Sequence, residues 1–253
     1  MTEIYVGVCA FKKKYYKSEI NCVEVQQTFY NIPMEKTVRK WRNEAPESFI
    51  FNLKVFQGLT HNPRSPTWKR YTRKLTETQK KQVGDLKLND LTKKWIDTYI
   101  NYMKILDGKV LVVQTPASFK PTNENVSNAM KFFEYFFERL KNLRAKFWIG
   151  WEPRGNWLKN IDTLDDIFSS FDKLIHIVDI FFHEPVSISE TSYFRLHGKP
   201  YLNYRYRYTD KDFDLISQKI ERLKGVSSSI FIMLNNVYME DDALRLKKFL
   251  GVK

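Results

Sequence analysis

Eight short apolar runs, most of them separated by helical patterns, are the feature that most constrains the fold of this 253-residue chain. Each run has about the length of a buried strand, and each ends in or next to a polar residue. Strands that alternate with helices form parallel sheets, and eight such units indicate a closed (β/α)8 barrel. The runs are IYVGVC (4–9), CVEVQQT (22–28), FIFNLKV (49–55), VLVVQTP (110–116), KFWIGWE (146–152), HIVDIF (176–181), YFRLHG (193–198) and SIFIMLNN (229–236).

Helical periodicity fills most of the intervals between these runs. Leu91, Trp95, Tyr99, Tyr102 and Leu106 recur at spacings of three and four, which predicts a helix that packs one face on the sheet. The links after the first and sixth strands look short or irregular, so the ring of helices is expected to be imperfect. The predicted helices cover 34–44, 86–106, 123–143, 163–171, 210–223 and 240–250.

The length and the cysteine content indicate one intracellular domain. A chain of this size usually forms a single (β/α)8 unit, so one domain is expected over residues 1–253. No signal segment opens the chain, and no apolar stretch approaches the roughly 20 residues that span a bilayer. Cys9 and Cys22 fall at opposite ends of neighbouring parallel strands, too far apart for a disulfide. We therefore expect free thiols, a cytoplasmic protein and no membrane partner.

Positive charge is concentrated after the third strand. The chain carries a net charge of +13, and between Lys54 and Lys94 there are 11 basic residues against 3 acidic ones. Most of this stretch is one long connection, from Gln57 to Asp85, on the face where the strands of a barrel end. A basic rim there would attract anionic partners, including single-stranded DNA or RNA. A lysine-rich surface of a heat-adapted protein explains the same composition.

Polar residues collect on one parity of the predicted strands, near the strand ends. Side chains alternate between faces along a strand, so one parity points into the barrel. Glu24, Lys54, Glu152 and Arg195 share that parity, and Arg154 continues the line of the fifth strand. Barrel interiors are ordinarily filled by Val, Ile and Leu, and buried charges are costly unless they pair or meet a ligand. The pattern therefore leaves two interpretations: a ligand site, or a plug of salt bridges.

An ordered series of sequence blocks resembles the DUF72 family, also called the YecE-like family. The resemblance covers nearly the whole chain and implies a TIM barrel, the fold that the strand count also predicts; it implies no reaction, because the family is one of unknown function. The chain departs from the family pattern at Gln26 and Gln27, where Asn-Ser is usual. The blocks are VEVQQTFYNIP (23–33) followed by Trp41, PESFIFNLKVFQGLTH (46–61), VVQTPASFKP (112–121), WEPRGNW (151–157), YFRLHG (193–198), YRYRYTDKDF (204–213) and FIMLNN (231–236).

The candidate catalytic residues are Glu152, His197 and Asp179. Glu152 can serve as a general acid or base if burial raises its pKa, with His197 as its partner. Together with His61, these three side chains could also form a mixed nitrogen and oxygen site for a divalent metal, although a structural hydrogen-bonding role is favoured for each histidine. No GxGxxG, GxxxxGK[ST], HExxH or CxxC motif occurs, so no nucleotide cofactor is indicated and the cofactor stays unknown.

The candidate substrate-binding residues suit an anion. Arginine offers bidentate contacts to phosphate or carboxylate, and amide side chains can orient a substrate or donate to developing negative charge. The residues are Lys54, Arg154, Arg195, Gln114, Asn235, Glu24, Gln26, Tyr30, His61 and Tyr204.

Three functions are compatible with this pattern. The leading hypothesis is an enzyme for a phosphate-bearing substrate, with phosphodiester hydrolysis in nucleic acid as the reaction. The second is an enzyme for a small phosphorylated or carboxylated metabolite at the same mouth. The third is a non-catalytic nucleic-acid-binding module in which the connection 57–85 binds and the interior is only a plug.

Overall fold

The fold is a barrel of eight parallel strands, seen in a computed structural model that describes residues 2–252. Around the sheet the order is β6-β5-β4-β3-β2-β1-β8-β7, and every strand pair is parallel. The strands are β1 (Glu3–Val8), β2 (Cys22–Val25), β3 (Ile50–Lys54), β4 (Val110–Gln114), β5 (Trp148–Glu152), β6 (Leu174–His176), β7 (Thr191–Leu196) and β8 (Ser229–Leu234).

The two edge strands, β6 and β7, approach each other and nearly close the barrel. Val178, just beyond β6, forms a single parallel bridge with Phe194 of β7. The backbone N–H of Arg195 donates to the carbonyl oxygen of Val178 at 3.0 Å. The predicted (β/α)8 TIM barrel is therefore confirmed. Within residues 2–252, no helix has the length and apolar character needed to cross a bilayer.

Helices cover the outside of the barrel much as the periodicity predicts. The predicted helix over 210–223 has the same bounds as the observed helix Asp210–Leu223, and the other five predicted helices differ at their ends by one to four residues. The ring is imperfect in the expected places, because β1 is followed by a short 3-10 helix, Lys13–Lys17, and the described link from β6 to β7 contains no helix. The α-helices are α1 (Gln27–Tyr30), α2 (Glu35–Glu44), α3 (Gln57–Thr60), α4 (Glu77–Gln82), α5 (Asp90–Leu106), α6 (Asn123–Asn142), α7 (Ile161–Ser169), α8 (Asp210–Leu223) and α9 (Met239–Leu250).

Two predicted strands differ most from the observed ones, because both predictions extend too far toward the C-terminus. The run 22–28 contains only the four-residue β2, because Thr28 Oγ1 lies 2.7 Å from the carbonyl oxygens of both Val25 and Lys54 and the chain turns into α1. The run 176–181 begins where β6 ends. Asp179 starts a turn there, since its carbonyl oxygen accepts the N–H groups of Phe182 and His183 at 2.9 and 3.1 Å.

The long connection after β3, residues 57–85, is folded rather than an open loop. We call it the basic segment. It contains α3, a 3-10 helix at Pro66–Arg70 and α4. Ser65 Oγ and Thr76 Oγ1 accept the backbone N–H groups that open the second and third of these helices. Local capping therefore orders a stretch whose composition alone predicts a loop.

The barrel interior changes character along its axis. Toward the N-terminal ends of the strands it is aromatic, with the rings of Tyr5 and Tyr193 stacked on Phe231 at 4.8 and 5.6 Å. Toward the C-terminal ends the inward positions carry charged or amide side chains, as the parity of the strands predicts. The interior near the N-terminal ends is thus mostly apolar, with the amide of Asn52 bonded to Val110 N and Cys22 Sγ, and the charged side chains gather at the mouth formed by the C-terminal ends of the strands.

Candidate functional site at the barrel mouth

A buried ion-pair network forms the floor of the mouth. Arg195, whose side chain is 1% exposed, donates from Nε to Glu24 Oε2 at 3.0 Å and from Nη1 to Glu152 Oε2. Tyr193 also donates its hydroxyl to Glu24 Oε2, at 2.9 Å. Gln26 donates its amide to the other oxygen of Glu24. Each buried charge in this floor therefore has an opposite charge or a hydrogen bond.

Glu152 is held between two arginines. Its Oε1 accepts from Nε of Arg154 at 2.7 Å and lies 2.7 Å from Nη2 of the same arginine, while Arg195 occupies Oε2. Burial opposes ionisation of this carboxyl, but Arg154 and Arg195 outweigh it and hold its pKa well below the usual range. Glu152 was expected to have a raised pKa as a general acid or base. The structure places it as an ionised group that positions the two arginines.

His197 and Asp179 lie beside this network. The backbone N–H of His197 donates to Asp179 Oδ2 at 2.8 Å, and the ring Nδ1 lies 3.4 Å from the same oxygen. Nε2 faces Arg154 Nη2 at 3.2 Å. Burial lowers the pKa of His197, although Asp179 and Glu152 pull it upward, so the ring is neutral near neutral pH. The neutral ring of His197 accepts a hydrogen bond from Arg154 at Nε2. Asp179 holds the backbone of His197 just after the end of β7.

Above the floor the mouth opens into a cavity of about 400 Å3. Among the described residues that line it there are three cationic side chains, Lys54, Arg154 and Arg195, and no carboxylate. Arg195 Nη2 makes no hydrogen bond within residues 2–252, and neither does Arg154 Nη1. Two guanidinium donors are therefore unused beside an open volume. The lining residues are Gln26, Phe29, Tyr30, Lys54, His61, Thr67, Gln114, Pro116, Ala117, Arg154, Arg195, Leu202, Tyr204 and Asn235.

Lys54 at the end of β3 differs from the two arginines. Its Nζ donates to Gln114 Oε1 at 2.9 Å and lies 4.2 Å from the centre of the Phe29 ring. Within residues 2–252 no carboxylate oxygen lies within 4.0 Å of Nζ, because Glu24 and Glu152 are taken by the arginines. Burial and Arg195 lower the pKa of Lys54 to about 7, against the opposing effect of Glu24 and Glu152.

The basic segment forms one wall of the mouth. Thr67 lines the cavity, and the guanidinium of Arg70 stacks 3.6 Å from the centre of the Tyr30 ring. His61 packs edge-on against Phe29, with ring centres 4.9 Å apart, and burial beside Lys54 lowers its pKa to about 3. His61 is thus a neutral wall residue. The exposed cations of the segment continue outward from this wall: Arg64, Lys69, Arg70, Arg73, Lys74, Lys80 and Lys81.

The structure brings the predicted site residues together at the mouth, but only some of them line the cavity. Of the others, Glu24 and Glu152 lie in the floor, and Asp179 and His197 lie beside it. Sequence reasoning missed five lining residues, of which only Leu202 has a distinctive backbone, with a φ of 64°: Phe29, Thr67, Pro116, Ala117 and Leu202. The predicted residues that line the cavity are Gln26, Tyr30, Lys54, His61, Gln114, Arg154, Arg195, Tyr204 and Asn235.

The hypothesised mixed metal site does not assemble. In the part of the chain that the structure describes, no group of three or more His, Cys, Asp or Glu side chains is arranged to hold a metal ion. Asp179 Oδ1 and Oδ2 already accept the N–H groups of Phe181 and His197. Cys9 offers no substitute ligand or nucleophile, because burial and Glu24 raise the pKa of its thiol. Cys9 and Cys22 are both buried free thiols.

Comparison with solved structures agrees with the fold. A DUF72 family protein from Enterococcus faecalis V583 superposes with a TM-score of 0.70 at 20% identity, over 100% of this chain and 99% of that one. A DUF72 family protein from Thermotoga maritima MSB8 gives a TM-score of 0.64 at 18% identity, over 98% and 99% of the two chains. At these identities the likeness concerns the fold alone.

Sequence comparison gives the family. UPF0759 protein YunF of Bacillus subtilis (strain 168) is 38% identical over 63 residues, which are 24% of this chain and 22% of YunF. The model of the family described as "Protein of unknown function DUF72" matches residues 10–251, from the first strand end to the last helix. The chain belongs to the DUF72 family.

Proposed function

We propose that this protein is an enzyme that binds a small phosphorylated or carboxylated molecule in the cavity at the barrel mouth. The observation that carries the proposal is a cavity of about 400 Å3 whose described lining contains Lys54, Arg154 and Arg195 and no carboxylate. Unused donors on the two guanidinium groups fit a phosphate or carboxylate group. Buried donors that meet an anion away from bulk water bind it more strongly than surface lysines do.

The surroundings of the cavity support a reactive site. Enzymes with this fold carry their active sites at the C-terminal ends of the strands, an analogy that concerns the fold only. Lys54, with a pKa lowered to about 7, is matched to proton transfer near neutral pH. Glu152, Asp179 and His197 act as positioning residues in this proposal, because each is engaged with Arg154, Arg195 or the backbone.

A binding experiment with a matched control tests the proposal. Calorimetric titration with a panel of small phosphorylated and carboxylated compounds should find ligands whose affinity falls roughly tenfold or more in Arg154→Gln, because hydrogen bonds to charged groups are the strong ones. Arg139→Gln is the control. Arg139 lies on α6, and its Nε is 2.8 Å from Asp97 Oδ1 on α5. Neither residue lines the cavity. If no compound bound, or if both variants lost affinity equally, the proposal would be rejected.

Phosphodiester hydrolysis in nucleic acid is a second candidate, favoured by the position of the basic segment. Thr67 and Arg70 place this segment at the mouth, and its exposed cations could hold a single strand of DNA or RNA. The double variant Lys69→Glu and Lys74→Glu should then weaken binding and flatten its salt dependence, whereas Lys131→Glu on α6 should not. Binding without turnover would favour the non-catalytic module, and no binding at low salt would remove both alternatives.

A further inference from the structure

Lys54 differs from the two arginines of the cavity, because its buried amine has no carboxylate within 4.0 Å among residues 2–252. It is 6% exposed, lines the mouth cavity and ends β3. The carboxylates of Glu24 and Glu152 are paired with arginines. Within residues 2–252, the single hydrogen bond of Nζ goes to the neutral Gln114 Oε1 at 2.9 Å. A lysine that served only to balance charge would be expected to contact a carboxylate. The neutral oxygen of Gln114 stabilises the ammonium form less than a carboxylate would, so the pKa of Lys54 is not restored by its hydrogen-bond partner.

Burial has the largest influence on the pKa of Lys54 and lowers it. Arg195 and Arg154 lower it further, while Glu24 and Glu152 raise it. The result is a pKa of about 7, so a large share of the amine is unprotonated near pH 7. The neutral amine is the nucleophilic form of lysine. The titratable or charged groups that face it are Arg195, Glu24, Arg154, Glu152, His61 and Cys9.

We propose that Lys54 forms an imine with the carbonyl carbon of an anionic aldehyde or ketone that is held in the mouth cavity by Arg154 and Arg195. The inference rests on the proposed function and narrows its substrate to carbonyl compounds bearing a phosphate or carboxylate. It gives Lys54 the catalytic role and leaves Gln114 as the residue that positions the amine.

The covalent step needs no oxidant or reductant. The lone pair of Nζ adds to the carbonyl carbon, and a proton passes from nitrogen to the former carbonyl oxygen, which gives a carbinolamine. The hydroxyl group then takes up a further proton and leaves as water, while the nitrogen lone pair forms the C=N bond of a protonated imine. Gln114 Oε1 accepts one N–H of the amine and so limits the directions in which the lone pair can point.

Borohydride trapping tests the proposal directly. The protein is incubated near pH 7 with pyridoxal 5'-phosphate or with glyoxylate, a phosphate-bearing and a carboxylate-bearing aldehyde, then reduced and mapped by peptide mass spectrometry. We expect Lys54 to be labelled ahead of the exposed Lys69 and Lys74, which serve as internal controls. Excess inorganic phosphate should protect Lys54, and pyridoxal, which lacks the phosphate, should show no preference for it. Labelling of exposed lysines with Lys54 unmodified by both aldehydes would overturn the proposal.

Two variants separate a reactive amine from a structural cation. Gln114→Glu places a carboxylate beside Nζ and should raise the pKa of Lys54, so labelling near pH 7 should fall roughly tenfold or more and recover at higher pH. Gln114→Leu removes the acceptor without adding charge, so its loss of labelling should be smaller than that of Gln114→Glu and should not recover at higher pH. Equal labelling in Gln114→Glu and Gln114→Leu would contradict the inference.

The outcomes also distinguish this inference from the proposed function. Calorimetric binding of phosphorylated or carboxylated ligands that is lost in Arg154→Gln, together with no adduct at Lys54, would reject the imine and keep the anion site. Absence of any anion binding would reject both.

Discussion

Replacing Arg195 with methionine tests the floor of the mouth most severely, because this guanidinium lies between two buried carboxylates. Nε lies 3.0 Å from Glu24 Oε2, and Nη1 donates to Glu152 Oε2. Glu152 keeps Arg154 in the variant. Glu24, whose side chain is fully buried, keeps no cation within 4.0 Å among residues 2–252. Methionine fills much of the same volume, so the change isolates the loss of charge from the loss of packing.

The expected cost is large. Removing one partner of a buried ion pair costs about 3–5 kcal/mol, since the remaining charge is left in a medium that solvates it poorly. We expect the free energy of unfolding of Arg195→Met to fall by that amount, measured by urea denaturation with the fluorescence of the six tryptophans as the signal. Adding Glu24→Gln removes the orphaned charge and should recover about 0.5–3 kcal/mol, so the two changes should be less than additive.

The control is an ion pair on the surface. Lys80 Nζ lies 2.7 Å from Glu77 Oε1 on α4, where both side chains are exposed. Lys80→Met should leave the urea midpoint unchanged, because solvent screens such pairs. The buried network does not stabilise the fold in this way if Arg195→Met costs no more than Lys80→Met, or if Glu24→Gln adds its own destabilisation to that of Arg195→Met.

Three further predictions concern titration and the paired amides that follow β8. Burial lowers the pKa of His61 and His176 to about 3 from 6.5, so the unfolded chain takes up protons at a higher pH than the folded protein does. The free energy of unfolding should therefore fall as the pH drops below about 6.5. In urea titrations, His176→Gln should reduce the slope of that fall by about 1.4 kcal/mol per pH unit. The pKa of Lys54 is lowered to about 7 from 10.5, so this residue should make stability rise with pH from about 7 to 9. Above that range the raised pKa values of the buried thiols Cys9 and Cys22 oppose the rise. Lys54→Met should abolish the rise in urea titrations. Asn236 donates to Tyr206 O at 2.8 Å and to Asp242 Oδ2 at 2.7 Å, whereas Asn235 lines the cavity. Asn236→Ala should therefore lower the free energy of unfolding by about 1–3 kcal/mol. Asn235→Ala should weaken anion binding and leave the urea midpoint unchanged.

The fold was predictable because it depends on periodicity, which is local. Eight apolar runs and the alternation of inward and outward side chains were enough to predict the barrel and its polar mouth. The ends of β2 and β6 were not predictable in this way. The chain turns after each of these strands through hydrogen bonds made by the Thr28 hydroxyl and the Asp179 carbonyl oxygen, which an apolar pattern does not record. The helices of the basic segment were missed for the same reason, since capping by Ser65 and Thr76 outweighs a composition typical of loops.

The site was predictable in its membership but not in its pairing. Parity placed Glu24, Glu152 and Arg195 inside the barrel, and they lie there. Which carboxylate takes which cation depends on distances across the barrel between strands remote in sequence, and these left Lys54 without a carboxylate. That outcome changed the predicted chemistry. Glu152, the expected general acid or base, is ionised and engaged with two arginines, and our proposal therefore assigns the reactive role to the amine of Lys54.

Crystals soaked in tungstate, a tetrahedral oxyanion with a strong anomalous signal, test the central claim most directly. An anion site at the mouth predicts an anomalous peak in the cavity within hydrogen-bonding distance of Arg154 and Arg195, absent from crystals of Arg154→Gln. Peaks only along the exposed cations of the basic segment, with the mouth cavity unoccupied, would contradict it.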